Sequence, residues 1–256
     1  MKGWLAVLRK EVLNFFVSPI AYAVIGCFLL ISGFFFWANL SFYSLLSLQA
    51  TSSPMFAQRI NMTDTVIRPL IQNTGVVLLI AVPFLTMRLF AEEKKSGTIE
   101  LLLTYPISDV GVLTGKYLAA VVLLLIMLVA TLPEAILMIV LGKPDIGPLV
   151  GGYLGLLLMG AAFMSLGMFI SSLTENQIVA GVVCFVLALL FWILSWTSHF
   201  VGETAAGVIR QLSILEHLET FNKGVVSLAD VSFFLLFIAF FLFMTSRSLE
   251  TNRWRG

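Results

Sequence analysis

Charge is what this chain has least of. Only 11% of its 256 residues are charged, where an average soluble domain carries roughly a quarter. The formal net charge is +1, so there is no basic face for a nucleic acid, and none is expected as a partner. Cysteine occurs twice, and both Cys27 and Cys184 lie in apolar runs. They read as small buried residues and not as a disulfide or metal pair. Histidine also occurs twice. His199 and His217 share a loop with Glu203, Glu216 and Glu219 but lack close ligand spacing, so they read as loop polarity and no metal is expected. No G-x-S-x-G nucleophile appears. The nearest string to a phosphate-binding loop, Gly111-Val-Leu-Thr-Gly115-Lys116-Tyr117, has the wrong glycine spacing and a tyrosine where a hydroxyl ligand of magnesium belongs. The chain is therefore read as neither an enzyme nor the holder of a cofactor.

Apolar residues, by contrast, make up 59% of the sequence, with a mean hydropathy of +1.02. They come in long runs. Crossing ~30 Å of hydrocarbon takes about 20 helical residues, and six segments meet or approach this: 20–40, 70–89, 117–141, 149–170, 178–197 and 228–245. The last is the weakest, because Asp230 must stay near an interface. The expected fold is an all-α polytopic membrane protein of one domain, 1–256, with the bilayer as a partner. The first run is too long for a signal-peptide core. Before it, residues 4–17 mix Trp4 and other apolar residues with Arg9, Lys10 and Glu11, the pattern of a helix lying in the interface. Ten of the fifteen Lys and Arg fall on the side of both termini and the 88–116 loop, which places that side in the cytoplasm, and the membrane is expected to be a bacterial inner membrane. Pro83 and Pro133 are expected to kink the second and third spans. Gly151, Gly155, Ala162 and Ser165 permit close helix contact in the fourth, with packing inside the chain favoured over a seam between chains. In the outer loop 198–227, Val208, Ile209, Leu212, Leu215 and Leu218 read as one helical face that dips into the outer leaflet.

The charge the chain does have gathers in Phe90–Ser108, FAEEKKSGTIELLLTYPIS. The second span is expected to run past Arg88 and end at Gly97, with Lys94 and Lys95 in its last turn. Thr98 then caps a new helix with Glu100 in its first turn. Ile99, Leu102 and Leu103 form its apolar stripe, Pro106 ends it, and Ser108-Asp109 starts the next helix. A helix of under two turns is not stable alone. It needs a surface, either the bilayer and the protein's own spans or the groove of a soluble partner; the residues leave both open.

The run from Arg88 through Ser108 resembles the intracellular loop of the ABC-2 family of transporter permeases, nearest the gliding-motility-associated branch. Arg9-Lys-Glu-Val-Leu-Asn-Phe-Phe-Val-Ser-Pro-Ile-Ala-Tyr22, Gly115-Lys-Tyr117 and Ser165 through Gly181 are similar as well, so the likeness covers most of the chain. It implies a six-span permease subunit working with a second copy or paralogue above two ABC-type ATP-binding subunits, which carry the ATP and Mg2+. The short helix would be the coupling helix, with Glu92, Glu93, Gly97, Thr98, Ile99, Glu100 and Leu102 contacting the partner or shaping the loop, and residues 4–17 would be the N-terminal elbow. Loop 198–227 would hold outer re-entrant helices. The implied activity is ATP-driven export of an amphiphilic or polymeric substrate. The alternative is a mechanotransmitting or assembly subunit that moves no substrate, and an auxiliary outer-side protein stays an open partner.

Glu134 stands apart. It follows Pro133 in mid-span, where a charge costs about 2.5–3.5 kcal/mol on insertion scales. One reading is a polar contact in a transport route or dimer seam; the other is a neutral carboxyl bonded to a carbonyl freed by the proline. The family pattern lends it no role. An intramembrane enzyme or an ion-coupled carrier would need several such residues.

Overall fold

The computed structural model describes residues 3–50, 61–98, 108–142, 144–197 and 202–253, and these are helical without strands. Among the described residues six helical segments are long and apolar enough to cross a membrane. The first, α2 (Pro19–Ala50), follows α1 (Gly3–Val17). It has 32 residues, about 48 Å at 1.5 Å per residue, and so continues well beyond the 20–40 run. The second is a π-helical turn, Thr63–Ile67, leading into α3 (Arg68–Thr86). A short helix, α4 (Ala91–Lys95), follows. The third span divides into α5 (Asp109–Ala130) and α6 (Leu132–Gly142). Then come α7 (Ile146–Leu173), α8 (Gln177–Thr197), the short pair α9 (Glu203–Leu212) and α10 (Ile214–Asn222), and α11 (Leu228–Arg253).

The two prolines act differently. At Pro133 the third span breaks, with Thr131 between α5 and α6. At Pro83 the helix continues unbroken to Thr86. Thr86 Oγ1 donates back to the Val82 carbonyl at 3.0 Å, and the helix ends one turn beyond the proline.

Burial sets the arrangement. In α3 and α7, 72% and 78% of the apolar window is inside, against 17% in both α2 and α11, so the former pair is the centre and the latter the rim. Small residues explain why α7 is central. A Cβ on Gly152 would lie 2.7 Å from Ile71 of α3, and one on Gly155 2.9 Å from Leu218 of α10. These contacts, with fully buried Ala162 and Ser165, use the small residues for packing within the chain.

The outer-loop stripe is corrected. It splits at Ser213, whose hydroxyl accepts from Glu216 N at 3.4 Å and starts α10. Leu215 and Leu218 are buried, but Leu212 is exposed. Asp230 at the start of α11 is held by His217 of α10, Nδ1 to Oδ1 at 2.6 Å, and the imidazole stacks on Phe233 with ring centroids 4.0 Å apart. Cys184 is buried as expected, whereas Cys27 is exposed on α2; both are free thiols.

Candidate functional site

The charged segment begins differently from the expected continuous helix. Between α3 and α4 the chain makes a turn over residues 87–90, with Met87 N donating to Pro83 O at 2.9 Å and Leu89 N to Thr86 O at 3.1 Å. The first amides of a helix lack intrahelical acceptors. Here one hydroxyl from α7 supplies them: Ser171 Oγ accepts from Phe90 N at 3.1 Å and Ala91 N at 3.0 Å, and donates to Met87 O at 3.0 Å. The short α4 then has Glu92 and Glu93 in its first turn and Lys94 and Lys95 in its last, both favourable for the helix dipole. Gly97, at φ 68°, supplies the left-handed stop. Thr98 Oγ1 lies 2.8 Å from Ser96 Oγ. Ile99, Glu100, Leu102 and Leu103, and with them the predicted helix, lie outside the described residues.

Lys116 is the centre of the site. Ser108 Oγ caps α5 by accepting from Gly111 N at 3.2 Å, so this helix starts well before residue 117 and Lys116 sits two turns inside it. The string that mimics a phosphate loop is therefore helix. A Cβ on Gly115 would lie 2.8 Å from Val7 Cβ and 2.8 Å from Trp4 O, so α1 crosses α5 directly against this glycine. Lys116 itself is only 1% exposed. Its ammonium donates to Glu11 Oε1 of α1 at 3.0 Å, to Glu93 Oε1 of α4 at 2.9 Å and to the Leu89 carbonyl at 2.8 Å. The Phe90 ring lies over it, 5.2 Å to the centroid. Two carboxylates thus share one cation, and Glu93 Oε2 is buried without a hydrogen-bond partner. Half-exposed Lys10 approaches Glu93 Oε1 at 3.7 Å and Glu11 Oε1 at 3.9 Å.

Further ties surround this knot. Arg88 donates from Nε to Glu92 Oε2 at 2.9 Å and from Nη2 to Glu92 Oε1 at 3.0 Å, and its Nη1 reaches Ser18 Oγ at 2.6 Å, at the α1–α2 turn. Lys94 Nζ donates to the Ser172 carbonyl at 2.5 Å, which also receives Ser248 Oγ of α11 at 3.3 Å. Beside the knot is an open groove of about 680 Å³, walled by Asn14, Phe15, Ser18, Ile20, Phe84 and Arg88 among others.

Of the residues singled out in the sequence, the structure brings Lys10, Glu11 and Glu93 together and pairs Glu92 with Arg88. Arg9 is exposed, and Trp4 joins through its carbonyl against Gly115. Glu11 needs correction: a polar residue of an interfacial helix is expected to face water, but it is turned inward and is 7% exposed. Lys116, Ser171 and Ser172 were not singled out. In the sequence Lys116 stands out only as part of the phosphate-loop decoy and of the Gly115-Lys-Tyr117 likeness, and neither gives it a partner. Glu134 belongs elsewhere, on α6. Its Oε2 accepts from Ser32 Oγ of α2 at 3.2 Å, so one of its partners is a serine of another span.

No curated protein matches the chain. A family profile described as ABC-2 family transporter protein matches residues 5–246. Six apolar helices agree with that match. This multi-pass membrane protein, the transmembrane and not the nucleotide-binding component of an ABC transporter, belongs to the ABC-2 family.

Proposed function

We propose that the chain is the permease subunit of an ABC-2 exporter for an amphiphilic or polymeric substrate, driven through residues 90–108 by a separate ATP-binding subunit that carries ATP and Mg2+. In this reading both termini and the knot face the cytoplasm of a bacterial inner membrane, and two permease copies or paralogues pair. The likeness of the cytoplasmic loop supports a place near the gliding-motility-associated branch.

One observation carries the proposal: the segment leading to the loop is bolted on two sides. Ser171 and the Ser172 carbonyl fasten it to α7, the central span, and Lys116 fastens it to α5 and α1. A loop serving only to join two spans needs no such attachment. A loop that receives force needs it, because displacement of α4 must reach the spans without being absorbed by a flexible joint. Thr98, Ile99, Glu100, Leu102 and Leu103 would then continue from α4 into the partner's groove, with the apolar stripe as the seat. Glu134, held by Ser32 where α6 meets α2, would offer a substrate its polar contact inside the membrane.

The test is purification in mild detergent from native membranes, as wild type and as Leu102→Asp, with mass spectrometry of co-purifying subunits. An ATP-binding protein present with the wild type and lost from the variant is the expected result. Its absence from both, with the permease still folded, sinks the proposal.

A further inference from the structure

An ammonium has three protons, and Lys116 places each on a different part of the chain. Glu11 belongs to α1, Glu93 to α4, and Leu89 to the turn before α4. The set is saturated and buried. None of the three parts can slide past the others without leaving a charge or a donor unpaired in an apolar setting, which is costly. Gly115 adds steric contact to the same crossing, since α1 backbone and Val7 fill the space where a side chain would be. Other links between α1 and this region are softer. Lys10 is half exposed and no closer than 3.7 Å to a carboxylate. Arg88 holds only the Ser18 hydroxyl at the far end of α1.

We propose that Lys116 is a positioning residue that joins α1, α4 and the adjoining end of α5 into one rigid unit. Movement imposed on α4 by ATP then becomes movement of α1. On its outer side α1 carries exposed Leu5, Leu13, Phe16 and Val17 with Arg9 among them, a mixed face suited to the boundary between headgroups and acyl chains. The interfacial helix is thus a driven part of the machine and not a passive anchor. This rests on the proposed coupling role of residues 90–108, and the test separates the two.

The experiment is hydrogen–deuterium exchange with mass spectrometry on the permease purified with its ATP-binding subunit, without nucleotide and trapped with ATP and vanadate. Peptides covering 3–17 and 91–98 are followed. In the wild type both are expected to change exchange on trapping. The main variant is Glu11→Met with Lys10→Gln. It removes the polar tie between α1 and Lys116, keeps the packing of Val7 and Trp4 on Gly115, and leaves Lys116 balanced by Glu93, so burial of charge does not threaten the fold. In it the response at 91–98 is expected to persist while that at 3–17 falls by more than half. A second variant, Lys116→Met with Glu11→Gln and Glu93→Gln, nearly keeps shape and removes the charges of the buried triad, and the same loss at 3–17 is expected. A purely structural role for the knot would raise exchange of α1 in both nucleotide states and leave the difference between them intact. That result overturns the inference, as does a wild-type α1 with no response while 91–98 responds. No response at 91–98 in the wild type refutes the coupling reading itself.

Discussion

Replacing Lys116 by methionine keeps an unbranched side chain one atom shorter and deletes its charge. Glu11 and Glu93 are left facing each other, their side chains only 10% and 16% exposed. Because both oxygens contact the same ammonium, at 3.0 and 2.9 Å, they lie within about 6 Å of each other. At an effective dielectric of ~20, two like charges at that distance repel by roughly 3 kcal/mol. The loss of two charge-assisted hydrogen bonds adds to this. Removing one partner of a buried ion pair typically costs about 3–5 kcal/mol, and Lys116→Met is expected to fall there. For a chain of this size each kcal/mol moves the midpoint by roughly 2–4 °C, so melting in detergent should drop by on the order of 10 °C. Removing the whole network is a different matter, since apolar or neutral replacements of buried ion networks are often neutral in stability. Lys116→Met with Glu11→Gln and Glu93→Gln should therefore recover most of the lost midpoint. Scanning fluorimetry of the two variants beside the wild type decides it. If the single variant melts within about 2 °C of the wild type, or the triple variant falls as far as the single one, the carboxylates are not buried against the lysine as described.

Three other substitutions test the surroundings. Ser171→Ala removes the acceptor of Phe90 and Ala91 N–H and the donor to Met87 O. It should cost about 2–3 kcal/mol and speed exchange at 87–95, and unchanged exchange there refutes the attachment. Gly167→Ala sets a methyl against Thr86 Oγ1 and Cβ, where no flexible chain end can yield. A loss of about 1–3 kcal/mol in thermal unfolding is expected, and a neutral result would mean that α3 and α7 are farther apart. Gly97→Ala forces a side chain into the left-handed region at φ 68° and should cost about 1–2 kcal/mol locally, read as faster proteolytic cleavage after Lys94 or Lys95.

The spans were legible because lipid imposes a length: about 20 apolar residues in a row cannot easily be anything else. Their ends were less so. Hydropathy marks where the oil stops, while α2 and α5 continue as helix past that point, to Ala50 and from Asp109. Local chemistry was readable where the partner lies within a few residues, as at the Ser108 cap and the Gly97 stop. It was not readable where the partner is remote. The break at 87–90 depends on Ser171, some 80 residues along the chain, and Glu11 meets Lys116 across 105 positions. Proline gave a mixed signal for the same reason. It marks a lost hydrogen bond, but whether the helix breaks there, as before Pro133, or runs through, as at Pro83, depends on what packs around it.

The placement of the remote polar contacts has a logic of its own. Buried ion pairs seldom add net stability over apolar packing, so stability alone does not explain the Lys116 knot. What such groups add is register. Leucines sliding over a glycine-lined surface lose little at each step, whereas three directed hydrogen bonds are satisfied in one arrangement. In this chain many of the directed contacts between helices fall toward the helix ends. Lys116, Ser171 and Arg88 bind one end. At the other, His217 holds Asp230, the Asn222 amide donates to the Arg68 carbonyl at 3.1 Å, and the Thr63 hydroxyl accepts from the Asp145 amide at 3.2 Å. Between them α7 packs on its neighbours through glycine, alanine and apolar side chains, with a few hydroxyl contacts: Tyr117 donates to the Ala161 carbonyl at 3.2 Å and Tyr153 to the Thr131 carbonyl at 3.1 Å. A bundle whose ion pairs lie at its ends, with only single hydroxyl contacts between, can transmit a push along stiff rods while the rods turn against each other. That division of labour is what an energy input at one end of a membrane bundle requires.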